Sequence, residues 1–193
     1  MELGWGMMDR NELRRLLEEL DLTERPEEGE ARRRMVDLLD GEPGCFDRKT
    51  FPGHFTGGAF VVSADGSRVL LNHHRKLNRW LSFGGHCVGE EDVLEVAKRE
   101  AFEESGIKGL IVASARPWDL DIHTIPAYGE EPEHEHFDIR WMLIAPEGAD
   151  AVCSDESHEL AWFSALEAET KALGGSMGRM VSKWQAIVAF RNH

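Results

Sequence analysis

Residues 84–107 read GGHCVGEEDVLEVAKREAFEESGI and carry the strongest structural signal in the chain. Apolar residues recur there at intervals of three and four, which predicts a helix over residues 91–105. The carboxylates of Glu100, Glu103 and Glu104 fall on the flank of this helix beside its apolar stripe. Because like charges repel and a core disfavours unpaired charge, the three carboxylates require a cation. Hard oxygen ligands of this kind suit Mg²⁺ or Mn²⁺.

The residues around these carboxylates fit the same interpretation. Arg99 lies four residues after Glu95 and four before Glu103, a spacing that allows ion pairs to both. Gly84 and Gly85 allow the backbone to approach a metal or a phosphate without a side chain in between. Helix geometry alone also allows a second interpretation, an acidic surface helix with ordinary Glu–Arg pairs.

The spacing in this segment matches the pattern G-x5-E-x7-R-E-U-x-E-E-x-G-U, in which U is a bulky aliphatic residue. The matching residues are Gly85, Glu91, Arg99, Glu100, Glu103, Glu104, Gly106 and Ile107. On these residues the chain resembles the Nudix hydrolase family, and Ala101 is a small departure where a larger aliphatic residue is usual. Within the family it resembles a subgroup with GGH in this Nudix box and a DIH…HFD stretch downstream, whose substrate is not evident from sequence.

The resemblance implies an α/β fold, namely an α/β/α sandwich around a mixed β-sheet. It also implies hydrolysis of a nucleoside diphosphate linked to another moiety, with Mg²⁺ or Mn²⁺ and an attacking water. Sugar nucleotides, noncanonical nucleotides and ADP-ribose-like compounds all stay open as the small-molecule substrate. The implied catalytic residues are Glu100, Glu103, Glu104 and Arg99, with the three carboxylates and the Gly85 carbonyl as metal ligands and with Glu91 and Arg99 as orienting groups.

The general base stays open, because the family takes it either from the box or from a separate loop. The candidates are Glu103, Glu131, Glu133 and Glu135. The last three lie in residues 119–141, DLDIHTIPAYGEEPEHEHFDIRW, where alternating residues predict two strands with one polar face each.

Two histidines on these strands are candidate site residues. If the strands pair, His123 and His136 converge, where they could contact the substrate or hold a further metal. A pattern of the form HxHxD is a weak metal signal, and solvated histidines are the alternative.

A short basic segment precedes the Nudix box. Arg75, Lys76 and Arg79 are candidates for binding substrate phosphates, with Trp80 or Phe83 stacking on a base. A plain basic turn between two strands explains the same residues.

The chain divides into an N-terminal helical extension, residues 1–45, and a Nudix domain, residues 46–193. Leucines at helical spacing predict a first helix, and a second follows the break at residues 23–26. The extension is open to interpretation as a substrate lid, an arm for a homodimer, or a helical hairpin packed on the domain. Further along, the pattern predicts a β-hairpin over residues 54–74, three strands, a short strand at 157–164 and a helix at 176–190.

Composition excludes several classes of protein. Among 193 residues, 36 acids against 22 Lys and Arg give a net charge of −14, which disfavours binding to a long nucleic acid. The start of the chain has no apolar run typical of a signal peptide, and no segment approaches the ~20 apolar residues of a membrane span. Three separated cysteines predict neither a disulfide framework nor a zinc knuckle. A cytoplasmic protein is the expectation.

Two other functions are weighed against hydrolysis. One is an enzyme like isopentenyl diphosphate isomerase, which shares the fold and uses a Cys and a Glu; Cys87 in the box invites that comparison. The other is a nucleotide sensor without turnover, for which a degenerate box is typical. The complete box favours hydrolysis over both.

Overall fold

The computed structural model describes residues 8–155, 157–172 and 174–191. Residues 1–7, part of the segment searched for a signal peptide, lie outside this range. The helices are α1 (Arg10–Glu18), α2 (Pro26–Gly41), α3 (Val93–Ser105), α4 (Ala165–Lys171) and α5 (Gly175–Arg191). The strands are β1 (Gly53–Val62), β2 (Arg68–His74), β3 (Arg79–Leu81), β4 (Phe83–His86), β5 (Ile111–Val112), β6 (Asp119–Ile125), β7 (His134–Ile144) and β8 (Ser157–Ser164).

The eight strands form one mixed sheet with β1 and β7 at its centre. These two strands run parallel, from Gly53 opposite Glu135 to Val62 opposite Ile144. On its other edge, β1 pairs with β4 and then with β2, which in turn pairs with β3 and β8. One core cluster joins the sheet to α1, α2 and α3, and a second joins it to α4 and α5. The predicted α/β fold with a mixed sheet and an N-terminal helical extension is confirmed.

The helix of the Nudix box lies directly on β1. A Cβ atom added at Gly57 would come within 2.7 Å of the Val93 carbonyl oxygen, so the glycine allows the close approach of helix and strand. The side chain of Asp92 caps the start of α3 by accepting a hydrogen bond from the Glu95 amide at 3.1 Å. Gly106 ends the helix in the left-handed conformation, with φ of +67°. The predicted helix and its stop are therefore confirmed.

The structure differs from the predicted elements in four short segments. The sequence pattern does not predict β3, which has three residues, or β4, because a strand with two glycines resembles a loop. It also omits α4, although Ser164 and Glu167 form a capping box at its start. The strand predicted from residue 110 is only two residues long, because β6 occupies most of the β7 edge on which β5 pairs.

The N-terminal helices share the core of the sheet. Leu13 and Leu17 of α1 and Met35 and Leu39 of α2 are almost fully buried in the first core cluster. This packing is that of a helical hairpin on the domain, while the domain boundary at residue 45 and the homodimer stay predictions.

A buried ion-pair network attaches α5 to the sheet and to α2. Asp119 of β6 is fully buried and accepts from Lys183 Nζ at 2.6 Å, Arg179 Nε at 2.9 Å and Arg140 Nη1 at 3.2 Å. Lys183 also contacts the carboxylate of Glu28, a buried residue of α2, at 3.1 Å. One carboxylate therefore holds three cations that reach it from α5 and β7.

Candidate active site

Three carboxylates on α3 form what we call the acid cluster: Glu100, Glu103 and Glu104. Their exposure differs, since Glu104 is 7% exposed while the side chains of Glu100 and Glu103 are 16% and 55% exposed. The cluster therefore extends from the edge of the core into solvent, on the flank of α3 that the sequence predicts.

Glu104 joins α3 to two strands. Its carboxylate accepts from the Gly84 amide at 3.0 Å and from the Asn72 side-chain amide, also at 3.0 Å. Asn72 lies on β2 and is 1% exposed. The sequence pattern does not identify Asn72, because only the pairing of the strands brings it to the box.

Gly85 lies against the carboxylate of Glu100. A Cβ atom at this position would be 2.4 Å from the Glu100 carboxyl carbon, closer than any real contact of that kind. The backbone of β4 thus approaches the acid cluster because residue 85 lacks a side chain.

We expect Gly85→Ala to lower kcat/KM for the hydrolysis that the Nudix resemblance implies by ~10²-fold, because the added methyl displaces the carboxylate of Glu100. The clash is with the end of a flexible side chain, so the unfolding free energy should fall by less than the ~1–3 kcal/mol typical of an overpacked core. Steady-state kinetics and urea denaturation check both parts. Gly29→Ala in α2, where a Cβ meets nothing within 4 Å, is the matched control; wild-type activity in Gly85→Ala would contradict the expectation.

Arg99 bridges the acid cluster and β4. Its guanidinium lies 2.7 Å from Glu100 Oε1 and 3.5 Å from Glu103 Oε2, and it donates to the His86 carbonyl at 3.2 Å. The predicted pair with Glu103 is present, whereas Glu95 pairs with Lys98 instead. Arg99 can therefore orient two carboxylates at once.

Glu91 has a different set of contacts. Its carboxylate accepts from the Arg10 amide at 3.1 Å and lies 4.0 Å from the Arg10 side chain. The next residue, Asp92, accepts from the Met8 amide at 2.9 Å. The start of the box thus fastens the N-terminal extension to the domain.

The acid cluster fits a divalent cation. Its donors are carboxylate oxygens, the ligands preferred by Mg²⁺ and Mn²⁺, and the missing Cβ of Gly85 lets the Glu100 carboxylate lie against the backbone of β4. Of the groups named for this role, Glu100 lies against Gly85, and Glu104 accepts from the amide of the adjacent Gly84. Glu103 shares the Arg99 guanidinium with Glu100.

The sheet also gathers five histidines, on β1, β4, β6 and β7. Their rings lie 4.9–5.5 Å apart in neighbouring pairs. The five are His54, His86, His123, His134 and His136. The predicted pairing of β6 with β7 is confirmed, and His123 lies directly opposite His136.

Burial keeps most of this group neutral. It lowers the pKa of His54, and it lowers the pKa of His86 to about 4 and that of His136 to about 3. Burial also disfavours the charged form of His123, but the hydrogen bond to Asp121 and the charge of Asp138 outweigh it and raise the pKa of His123. Neutral imidazoles can ligate a metal, whereas a charged one suits an anion.

The two aromatic residues that follow the basic segment, Trp80 and Phe83, pack against other residues of the two core clusters. Trp80 stacks on His73 and meets Phe163 edge-on, within the second core cluster. Phe83 is 1% exposed in the first cluster, so it cannot stack on a substrate base.

Of the three basic candidates for phosphate binding, Lys76 places its ammonium 4.3 Å from the centre of the Tyr128 ring. Arg75 donates to the Ser157 carbonyl at 3.2 Å, and Arg79 is exposed on β3. Phosphate binding by Arg75 and Arg79 and base stacking by Trp80 stay predictions.

Three candidate bases outside the box differ in their surroundings. Glu131 pairs with Arg48 at 2.7 Å and Glu135 pairs with Arg34 at 2.5 Å, while Glu133 is exposed. Two of the three are thus already engaged by arginines.

Cys87 is 2% exposed and lies in the first core cluster. Burial raises the pKa of its thiol well above the usual range, so the reactive thiolate is strongly disfavoured. This environment does not support an isomerase that uses the Cys87 thiol.

Comparisons with known proteins agree with this architecture. The family model described as NUDIX domain matches residues 54–184, and none of the curated proteins matches the sequence. A Caenorhabditis elegans Ap4A hydrolase in a binary complex superposes with a TM-score of 0.57 at 21% identity, over 70% of this chain and 97% of that one. The Escherichia coli dihydroneopterin triphosphate pyrophosphohydrolase superposes with a TM-score of 0.55 at 18% identity, over 67% and 92%.

A third solved structure, the Mycobacterium smegmatis Nudix hydrolase RenU, has a TM-score of 0.53 at 19% identity, over 71% of this chain and 86% of that one. At these identities the likeness establishes the fold alone. Within residues 8–155, 157–172 and 174–191, moreover, no helix has the length and hydrophobicity to cross a membrane.

Proposed function

The chain belongs to the NUDIX family of pyrophosphohydrolases, and from that premise we propose that it hydrolyses the pyrophosphate bond of a nucleoside diphosphate linked to another moiety, with Mg²⁺ or Mn²⁺. The observation that carries the proposal is the approach of Glu100 and Glu104 to the two glycines of β4. Carboxylate oxygens and glycine backbone meet there, with the 55% exposed side chain of Glu103 on the same helix.

In the proposed site, Glu100, Glu103, Glu104 and the Gly85 carbonyl would hold a divalent ion. When bound, such an ion neutralises phosphate charge and lowers the pKa of a water. The chain's own residues provide the orientation: Arg99 holds Glu100 and Glu103, and Asn72 with the Gly84 amide holds Glu104.

The proton of the attacking water needs a carboxylate as acceptor. Glu103 is the most exposed member of the acid cluster, and we assign it this role. Glu131 lies 2.7 Å from Arg48 and Glu135 lies 2.5 Å from Arg34, whereas the distance from Glu103 to Arg99 is 3.5 Å, so the first two are the more tightly paired and the less suited.

Substrate contact by His123 and His136 stays a prediction. The two residues pair across β6 and β7 and lie on the sheet face turned away from α3, so any contact there would be with a part of the substrate other than the phosphates at the acid cluster. The raised pKa of His123 and its 41% exposed side chain suit an anionic group. The substrate remains one of three classes: an ADP-ribose-like compound, a sugar nucleotide or a noncanonical nucleotide.

A panel of nucleoside diphosphate derivatives tests this function, with Mg²⁺ or Mn²⁺ and with phosphate release measured after phosphatase coupling. We expect turnover of at least one compound, loss of turnover with a chelator, and recovery when Mg²⁺ or Mn²⁺ is restored. Ligand binding without turnover of any compound would overturn the proposal in favour of a sensor.

Cys87→Ala separates hydrolysis from the isomerase alternative. We expect pyrophosphatase activity to stay within about twofold of wild type, because a buried thiol without thiolate character takes no part in hydrolysis. The small cavity should lower the unfolding free energy by about 1 kcal/mol. Isomerase activity in the wild type that disappears in this variant would contradict the assignment.

A further inference from the structure

Three of the histidines come from three adjacent strands, and we call His54, His86 and His136 the histidine trio. His54 of β1 pairs with His136 of β7. Thr56, two residues further along β1 and on the same face as His54, pairs with His86 of β4. Because side chains alternate along a strand and Gly57 faces α3, the trio lies on the sheet face turned away from α3. It is thus separated from the acid cluster by the sheet, although Gly85 and His86 are adjacent in the chain.

The ring nitrogens of the trio converge. One nitrogen from each ring lies within 4.8 Å of the other two. The Nε2 atoms of His86 and His136 are 3.2 Å apart. Two nitrogens bound to one Zn²⁺ in a tetrahedral site, at bonds of about 2.0–2.1 Å, are separated by roughly 3.3–3.4 Å. The trio is therefore close to the spacing of metal ligands, and the widest pair must close by at most about 1.5 Å.

A second observation concerns His54, the member of the trio on β1. His54 is fully buried, and its Nδ1 lies 3.2 Å from the Thr50 carbonyl oxygen, to which a protonated Nδ1 donates. The other nitrogen, Nε2, is buried without a hydrogen-bond partner among the residues that the structure describes. A histidine that gives one ring N–H to a backbone carbonyl and keeps its other nitrogen available has the usual arrangement of a metal ligand.

The neighbouring group of Asp121, His123 and Asp138 has ligand atoms at similar spacing. Its two carboxylates, however, already pair with arginines. Arg140 contacts Asp138 at 2.5 Å, and Arg179 contacts Asp121 at 3.2 Å. These carboxylates belong to the ion-pair network of β6, β7 and α5, so a metal would compete with arginines. Among the described residues, no arginine or lysine hydrogen-bonds to a ring nitrogen of the histidine trio; these nitrogens contact the Thr50 carbonyl and, between His86 and His136, each other.

We propose that the histidine trio binds one divalent transition-metal ion, Zn²⁺ in the first place, at a site separate from the acid cluster. Three imidazole nitrogens suit Zn²⁺ and related ions, whereas the oxygen donors of the acid cluster suit Mg²⁺. Three protein ligands leave a fourth position for water or an anion, as in catalytic rather than structural zinc sites. The proposal does not depend on the Mg²⁺ or Mn²⁺ site of the proposed function, because the histidine trio shares no side chain with the acid cluster and lies on the opposite sheet face.

Titration of metal-free protein with Co²⁺ tests the site. Tetrahedral Co²⁺ absorbs far more strongly in the visible region than octahedral Co²⁺, so binding is read directly from the spectrum without any assay of activity. We expect one equivalent of Co²⁺ to give tetrahedral bands that Zn²⁺ abolishes and excess Mg²⁺ leaves in place. A Cys153→Ser background removes the exposed thiol as a competing ligand.

Variants locate the ion. His136→Ala should weaken Co²⁺ binding by at least ~100-fold, and His158→Ala, an exposed histidine outside the trio, should bind like the parent protein. Should circular dichroism show that His136→Ala does not fold, His86→Ala at a half-buried position gives the same readout. Glu100→Gln should keep the Co²⁺ bands even if it loses hydrolysis. The absence of tetrahedral bands in the parent protein, or equal binding by the trio variants and His158→Ala, would overturn the proposal.

Discussion

Glu100→Gln is expected to lower kcat/KM for the best substrate by ~10³-fold or more while the fold stays intact. The substitution keeps the size of the side chain but removes its charge. It therefore weakens a proposed metal ligand that lies against Gly85 and is held by Arg99 at 2.7 Å. Steady-state kinetics with saturating Mg²⁺ and Mn²⁺ give the measurement, and circular dichroism checks the fold.

The matched control is Glu95→Gln, five residues earlier on the same helix. Glu95 pairs with Lys98 at the surface, and a surface pair of this kind contributes less than about 1 kcal/mol. We expect its activity to be within about twofold of wild type. If Glu100→Gln and Glu95→Gln behaved alike, the acid cluster would not be the metal site.

The second large effect concerns stability. Asp119→Asn should lower the free energy of unfolding by about 3–5 kcal/mol, because removal of one partner leaves buried cations without compensation. Arg140, Arg179 and Lys183 all contact this carboxylate, which is fully buried. Urea denaturation followed by circular dichroism measures the change.

Asp150→Asn is the comparison for this prediction, because Asp150 is exposed. Its unfolding free energy should stay within about 0.5 kcal/mol of wild type. A loss of less than about 1 kcal/mol in Asp119→Asn would show that the network contributes little to the attachment of α5.

The fold and the acid cluster were predictable because their signals are local. The periodicity of residues 91–105 and the stop at Gly106 describe one helix, and its carboxylates share a flank through spacing alone. The order of α1, α2, β1, β2, β6, β7 and α5 follows from apolar patterns of the same local kind. The spacing of residues along the chain is therefore sufficient to predict single helices and strands and the residues that share one side of a helix.

Features that depend on strand pairing were not predictable in the same way. Asn72 reaches Glu104 across 32 residues of sequence, and the sequence pattern gives no reason to pair them. The short strand β4 places His86 beside His54 and His136, and only the register of β1, β4 and β7 decides this. The sequence predicts that His123 and His136 converge if their strands pair. The strands do pair, and their register places the two residues opposite each other.

The sequence by itself determined the family, the mixed α/β fold and the three carboxylates of the acid cluster, because each rests on residues close together in the chain. The tertiary structure alone decided what lies around them. It brought Glu91 to the N-terminal extension, enclosed Cys87 in the core and gathered the histidine trio on the far face of the sheet. The physical reason is that register and side-chain alternation set which distant residues share a face, and neither is encoded in the spacing of a single segment.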